Sequence, residues 1–389
     1  MNAAFDGMAV TSFQQAIGDV FARFDTHYSS WDDKSLHDLK GTICSPISRE
    51  MFAVHGDRRE RRSLFVLLSR SARMEVSRGQ DRLYALMHLA KDYKEGRITV
   101  DYNKTAEQVM ADAAAYHISQ HQSLNFLIVS YRDDETSNPT WIPEMWMGNH
   151  PAGRTIIRQK TDVLMHTKCS LNSVDMRSMR LRIRGVKAYW VRQCLVPNAR
   201  KTVADFWRSQ IGEYIQPYLG DTSIGLPLDF FRAIRGGMKD QTHEHQSIQT
   251  GLSHLWKIGN APEHASRDLG YGGSKVLDLL DPLKNDNQPA WSALRDVLKC
   301  LHSRLCIKTN TKHLGLIPRC NVRKEDEIWL VLGCILPVVV RSQPNGRYQH
   351  ICTAWIPALQ QHEDIAQFVS EIQPGDKVGE WTVEDIELG

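Results

Sequence analysis

Gly79-Gln-Asp-Arg-Leu-Tyr-Ala-Leu86, Val100-Asp-Tyr-Asn-Lys104 and Pro139-Thr-Trp-Ile-Pro-Glu-Met-Trp146 are the three blocks on which the reading of this chain turns. In the first, Leu83, Leu86, Met87 and Ala90 recur at helical spacing, and Asp81 stands where a cap is expected. After the second, Ala106, Val109, Ala113 and Tyr116 give another apolar face, with Asn103 as the expected cap and Glu107 in the first turn. Residues 124–131 (Leu-Asn-Phe-Leu-Ile-Val-Ser-Tyr) are short and apolar and predict a buried strand. The prolines of the third block fix their own φ and hold it in a stiff, extended turn.

Working outward, the pattern changes from helical to alternating and back. A polar lead covers residues 1–45, with one helix expected over 13–24. A basic helix follows over 50–78, where Asp57-Arg-Arg-Glu-Arg-Arg62 precedes Leu64, Leu67 and Leu68. Its interleaved acids make this a solvated face in preference to a nucleic-acid patch. Residues 180–187 alternate: Leu181 and Ile183 point one way, Arg180, Arg182 and Arg184 the other, as in a half-buried antiparallel strand with a wet face. Helices are predicted over 202–218, 226–234 and 290–301. Residues 238–273, rich in Gly, His and Gln, read as a mobile loop or lid. From Cys306 onward strands are expected, with Asn345-Gly346 as a hairpin turn.

The 389 residues, 42% apolar and 24% charged, suffice for one large or two ordinary domains. A net charge of +3 gives no general argument for nucleic acid or membrane partners. Eight cysteines without a Cys-x-x-Cys spacing read as free thiols in a reducing compartment. The start lacks a signal-peptide pattern, and the longest apolar run, residues 328–340, contains Pro337 and is too short to span a bilayer. Cytoplasmic residence is the expectation. The predicted fold is α+β: a lead over 1–45, a mainly helical body over 46–302 with a β insertion near 155–196, and a small antiparallel sheet or barrel with a tail over 303–389.

The three blocks resemble the middle of fungal heterokaryon-incompatibility proteins, which read Asp-Arg/Lys-x-Tyr-Ala-Leu, then Pro-Asp-Tyr, then Pro-Ser-Trp-Val-Pro-Asp-Trp. Here Val100 replaces the second block's proline, and one extra residue separates Pro143 from Trp146. A further likeness lies in residues 306–318 and 325–341, against the family's Gly-Leu-Gly-Pro and Gly-Asp-x-Val-x-x-Leu-x-Gly-x-x-x-Pro-x-Val-Leu-Arg. Ile317 stands at the second glycine of the former. The resemblance implies that the family's N-terminal effector domain is missing or reduced before Gly79.

No Walker loop, dinucleotide fingerprint, nucleophile elbow or His-Glu-x-x-His occurs. No cofactor and no metal are expected. His243-Glu244-His245 with His254 is the densest titratable cluster. It is a metal candidate in principle, but reads first as a polar loop. Cys44, Cys169 and Cys320 have no histidine paired to them by spacing. The Asp81/Arg82/Tyr84 block reads first as a scaffold of charge-assisted hydrogen bonds. Ten tryptophans and twelve methionines are spread along the chain and can line an apolar cavity.

Three functions stand at this point. One is a cofactor-independent cyclase of Diels–Alder type, acting on an apolar terpenoid or polyketide intermediate of fungal secondary metabolism. It is implied by the family resemblance together with the missing motifs. Tyr84, Arg82, His245 and Tyr102 would then be the donors, and Trp141, Trp146 and Trp256 the walls. The second is a non-enzymatic interaction or signalling module derived from the incompatibility proteins. The third, a nucleic-acid binder, is disfavoured by the balanced charge.

Overall fold

The computed structural model describes residues 63–71, 76, 78–130, 140–143, 167–170, 174–196, 202–220, 225–235, 242–269, 275, 281–360, 362–368 and 371–389. The helix expected over 13–24, the Arg58–Arg62 run, Cys44 and Trp146 lie outside these residues. The chain divides into two compact units, Met1–Asp101 and Tyr102–Gly389.

In the first unit, α1 (Leu64–Ser71) and α2 (Asp81–Met87) pack together. Leu64, Leu67, Leu68, Leu83, Leu86 and Met87 are buried, as their spacing predicts. Asp81 is not the cap of α2: that position is Gln80, which makes no side-chain capping bond, and Asp81 sits in the first turn. Its carboxylate still suits the positive end of the helix dipole there.

The second unit is α+β. It opens with α3 (Ala106–His121), capped by Thr105 and not by Asn103. The Thr105 hydroxyl accepts from the Gln108 backbone, and the Gln108 side chain accepts from the Thr105 N–H in return. The strand expected over 124–131 is a 3₁₀ helix, Asn125–Val129. One backbone group and one side chain at its start are already taken. The Leu124 N–H donates to the Gly333 carbonyl, and the Asn125 side chain accepts from the Ile335 N–H. An apolar run pinned this way buries its side chains without joining a sheet.

The sheet has nine strands in the order β4-β3-β2-β5-β6-β7-β9-β8, with β1 also on β2. These are β1 (Val174–Asp175), β2 (Arg180–Leu195), β3 (Arg304–Thr309), β4 (Leu314–Pro318), β5 (Glu327–Val331), β6 (Val338–Ser342), β7 (Tyr348–Thr353), β8 (Lys377–Val378) and β9 (Trp381–Leu388). The hub is β2. Residues 181–186 pair with β9, residues 185–190 with β5 and residues 191–195 with β3. The β segment near 155–196 is therefore no separate insertion, because β2 shares one sheet with the strands after residue 303. β7 meets β9 through Tyr348 and Leu388, so pairings run in a circuit through β2, β5, β6, β7 and β9. The stretch after 357, expected as a tail, supplies β9. The wet face holds: Arg184 pairs with Asp385 at 2.7 Å and Arg180 with Glu387 at 3.1 Å, both across the β2–β9 ladder.

The helices form a second layer of the core. Residues 202–218 are broken into α4 (Val203–Trp207), α5 (Gln210–Ile215) and α6 (Pro217–Gly220). Thr202 and Ser209 each cap a new start, so one amphipathic stretch becomes three short helices. The expected lid over 238–273 is instead mostly α8 (Thr242–Asn260), 19 residues long. With α7 (Leu228–Arg235) and α10 (Asp281–Asp286) it packs on α11 (Gln288–Ser303), while α9 (Pro262–Ala265) packs on α8 and α4. Ile248, Leu252 and Leu255 of α8 are buried with Leu294, Val297 and Leu298 of α11 in one apolar cluster. Among the described residues no helix is long and apolar enough to cross a membrane.

Candidate functional site

The residues singled out from sequence occupy different surroundings. Tyr84 is buried, and its hydroxyl both donates to the Asp101 carbonyl and accepts from the Asp101 N–H, each at 3.0 Å. That ties α2 to the chain 17 residues on through two bonds between neutral groups. Arg82 lies on the same helix, also buried, and burial lowers the pKa of its guanidinium. Tyr102 is 48% exposed. Trp141 is fully buried; its indole N–H donates to the Met179 carbonyl at 3.0 Å and its ring meets Phe126 edge-on. His245 packs its ring on Phe231, with Nε2 3.0 Å from the Leu226 carbonyl. Trp256 lies against the helical cluster. His245 and Trp256 share α8, but eleven residues of helix separate them by about 16 Å along its axis. The His243/His245 metal reading needs extended backbone. On a helix, residues two apart diverge by about 200° around the axis.

A concave site lies elsewhere, on the β2–β5–β6 face. It is an open groove of about 640 Å³ lined by Lys187, Trp190, residues 323–327, Arg341 and Ser342. Its geometry follows from how β2 changes partners. The strand is bulged between Lys187 and Tyr189 against β5, and again between Val191 and Gln193 against β3. Between the two irregularities Tyr189 turns inward and Trp190 outward, leaving the indole 44% exposed. The Trp190 backbone is held on both sides: its N–H donates to the Asn310 side chain, and its carbonyl accepts from the Asn310 N–H.

The groove's acids are mostly engaged. Asp326 is buried, and both its oxygens accept from Arg341, at 2.8 and 2.9 Å. Its Oδ2 also accepts from the Arg323 N–H at 2.7 Å. Glu327 takes Lys187 on one oxygen at 2.6 Å and the Trp329 indole on the other at 2.9 Å. Glu325 has a positive φ of 74° without being glycine, and its N–H donates to the Val191 carbonyl at 2.7 Å. Such backbone recurs where surrounding contacts over-determine a loop, often beside a working surface. Four basic side chains line the groove with three acidic ones, and Lys187–Glu327, Arg341–Asp326 and Lys324–Glu325 (3.6 Å) are ion pairs, so the lining carries a formal excess of one positive charge. An approaching ligand meets an exposed ring on a surface of nearly balanced charge.

A second titratable pair lies at the β3–β4 turn. His313 Nδ1 stands 3.4 Å from Asp229 of α7, with its ring tilted on Tyr189 at 5.6 Å. Neither this pair nor the groove is evident as a motif. The signal for Trp190 was the sequence Lys187-Ala-Tyr-Trp-Val-Arg192, a tryptophan among cations on a strand. Its phase was hidden by two consecutive buried residues, Gly185 and Val186. No family model, curated protein or solved structure matches the chain.

Proposed function

We propose that this chain is a non-enzymatic docking module on a scaffold of heterokaryon-incompatibility type, which receives an acidic, aromatic- or aliphatic-bearing peptide segment of a partner protein in the Trp190 groove. The observation that carries the reading is Trp190 itself: a large ring, nearly half exposed, rigidly mounted on the central strand of a nine-stranded sheet. Tryptophan and arginine are the side chains most enriched at interface hot spots, because a rigid ring buries much area at small entropic cost. The lining's single excess positive charge favours acidic over basic residues flanking the inserted side chain, and such complementarity sets register and on-rate. We read the circuit through β2, β5, β6, β7 and β9 as a small barrel that keeps the groove stiff. All seven described cysteines are unpaired, which supports a reducing, cytosolic setting.

The cofactor-free cyclase ranks second. It requires donors converging on a closed apolar space. Tyr84 already bonds both backbone groups of Asp101, and His245 already lies against a backbone carbonyl.

A random-peptide display selection on the full chain, counter-screened against Trp190→Ala, tests the docking reading. Enriched acidic sequences whose Kd weakens at least roughly tenfold in the variant, a loss of about 1.4 kcal/mol, are expected. The variant should melt at the wild-type temperature, since an exposed ring adds little to stability. Peptides that bind both proteins equally, or no enrichment over the variant, would overturn the reading.

A further inference from the structure

Two histidines stand one above the other at the end of α3. His117-Ile-Ser-Gln-His121 closes the helix, and residues four apart share one helix face. The ring centroids of His117 and His121 are 4.8 Å apart and tilted by 47°, and a ring nitrogen of each lies within 4.8 Å of the other. Phe126 meets the His117 ring edge-on at 6.1 Å and limits its rotation. His117 is half-buried and His121 exposed, so the pair has one packed side and one side open to water. The backbone beneath them is fixed at both ends. The Thr105–Gln108 capping box holds the start of α3. At its end Gln122, with a φ of 48°, donates its N–H to the Ile118 carbonyl at 2.7 Å and accepts from the Cys169 N–H at 2.9 Å.

We propose that His117 and His121 bind a divalent transition-metal ion of the zinc and copper class, through one ring nitrogen each, with water in the remaining positions. Imidazole suits these ions, whereas magnesium and calcium take oxygen ligands. A tetrahedral zinc ion with Zn–N bonds of about 2.0–2.1 Å holds two ligand nitrogens about 3.3 Å apart. From a separation within 4.8 Å, the exposed His121 ring closes that gap by a shift of at most about 1.5 Å. The charge around the pair suits a cation. Both histidines sit at the C-terminal end of α3, where the helix dipole is negative. Residues 106–121 contain two acids, Glu107 and Asp112, and no lysine or arginine. Ile118 stands where the His-Glu-x-x-His helix of a zinc hydrolase carries its general base, so the inference is ion binding and no hydrolysis is assigned. With two protein ligands the coordination sphere stays open, unlike a closed structural site of four, and the ion exchanges with solvent.

The site is built on α3 alone and does not depend on the docking reading of the Trp190 groove. Equilibrium dialysis of the full-length, untagged protein against zinc chloride, with bound metal counted by mass spectrometry, tests it. The other histidines remain in every variant and supply the background. Zinc affinity should fall at least roughly tenfold in His117→Gln and in His121→Gln, the scale of losing one ligand. Zinc should also raise the melting temperature of the wild type and not that of His121→Gln, since an ion bound only by the folded state stabilises it. The His121 ring is exposed, so this variant should melt with the wild type when zinc is absent. Copper(II) should displace the zinc, and an excess of magnesium of about a hundredfold should not. A wild-type protein that binds no zinc, or a His121→Gln protein that keeps the wild-type zinc affinity, would overturn the site. Displacement by magnesium would show oxygen ligands and overturn the assignment to the two imidazoles.

Discussion

Tyr84 and Trp190 are both aromatic residues with a polar atom, and their surroundings give them opposite duties. The Tyr84 hydroxyl bonds both the N–H and the C=O of Asp101, two successive peptide groups. Tyr84→Phe leaves that N–H and that C=O without their partner, so a cost of about 1–3 kcal/mol is expected in chemical denaturation. Peptide binding by the variant should be unchanged. Of the Asp81/Arg82/Tyr84 block, the structure shows the tie made by Tyr84, and it runs to a backbone 17 residues on. Trp190 was legible only as a tryptophan among basic residues. What exposes it is the pair of bulges on β2, and a bulge has no residue signature of its own.

At the scale of elements, periodicity named most helices and strands, and tertiary bonds decided the exceptions. Residues 125–129 form a 3₁₀ helix in place of the strand: the Leu124 N–H goes to the Gly333 carbonyl, the Asn125 side chain holds the Ile335 N–H, and the Leu127 N–H turns back to the Leu124 carbonyl. Residues 242–260 read as loop on composition, yet their apolar positions Ile248, Leu252 and Leu255 have helical spacing. That helix packs tightly on α11 through Gly251, where a Cβ would stand 2.7 Å from both the Ala290 carbonyl and the Leu294 Cβ. Gly251→Ala sets about 1 kcal/mol of gained helix propensity against a steric conflict of about 1–3 kcal/mol. Backbone cannot yield cheaply, so net destabilisation and a lower Tm are expected by calorimetry. At the β6–β7 turn the residue signal was enough: Asn345-Gly346 forms the hairpin, with Gly346 at a φ of 76°.

For the whole molecule, buried acids of high pKa set the alkaline limit. Burial raises Cys194 from 9.0 to about 11 and Cys334 to about 12, and Tyr214 from 10.0 to about 12. Each group keeps its proton longer folded than unfolded, so its contribution is whole below the unfolded pKa and is lost as pH rises through the folded one. Tm should therefore fall steadily between about pH 9 and pH 11. Replacing Cys194 with Ser should flatten the part of that slope due to its thiol. A Tm flat across the window would contradict the burial.

The sequence by itself determined the class of the fold, the apolar faces of α2 and α3, the wet face of β2 and the β6–β7 hairpin. Each depends on neighbours within a few residues, where side-chain period and turn chemistry act. Only the tertiary structure decided that β9 closes on β2, that 242–260 is a helix, and that Trp190 stands in a groove walled by residues more than a hundred positions away. Those outcomes turn on which partner satisfies a backbone group or covers an apolar face, and that choice is made between distant segments.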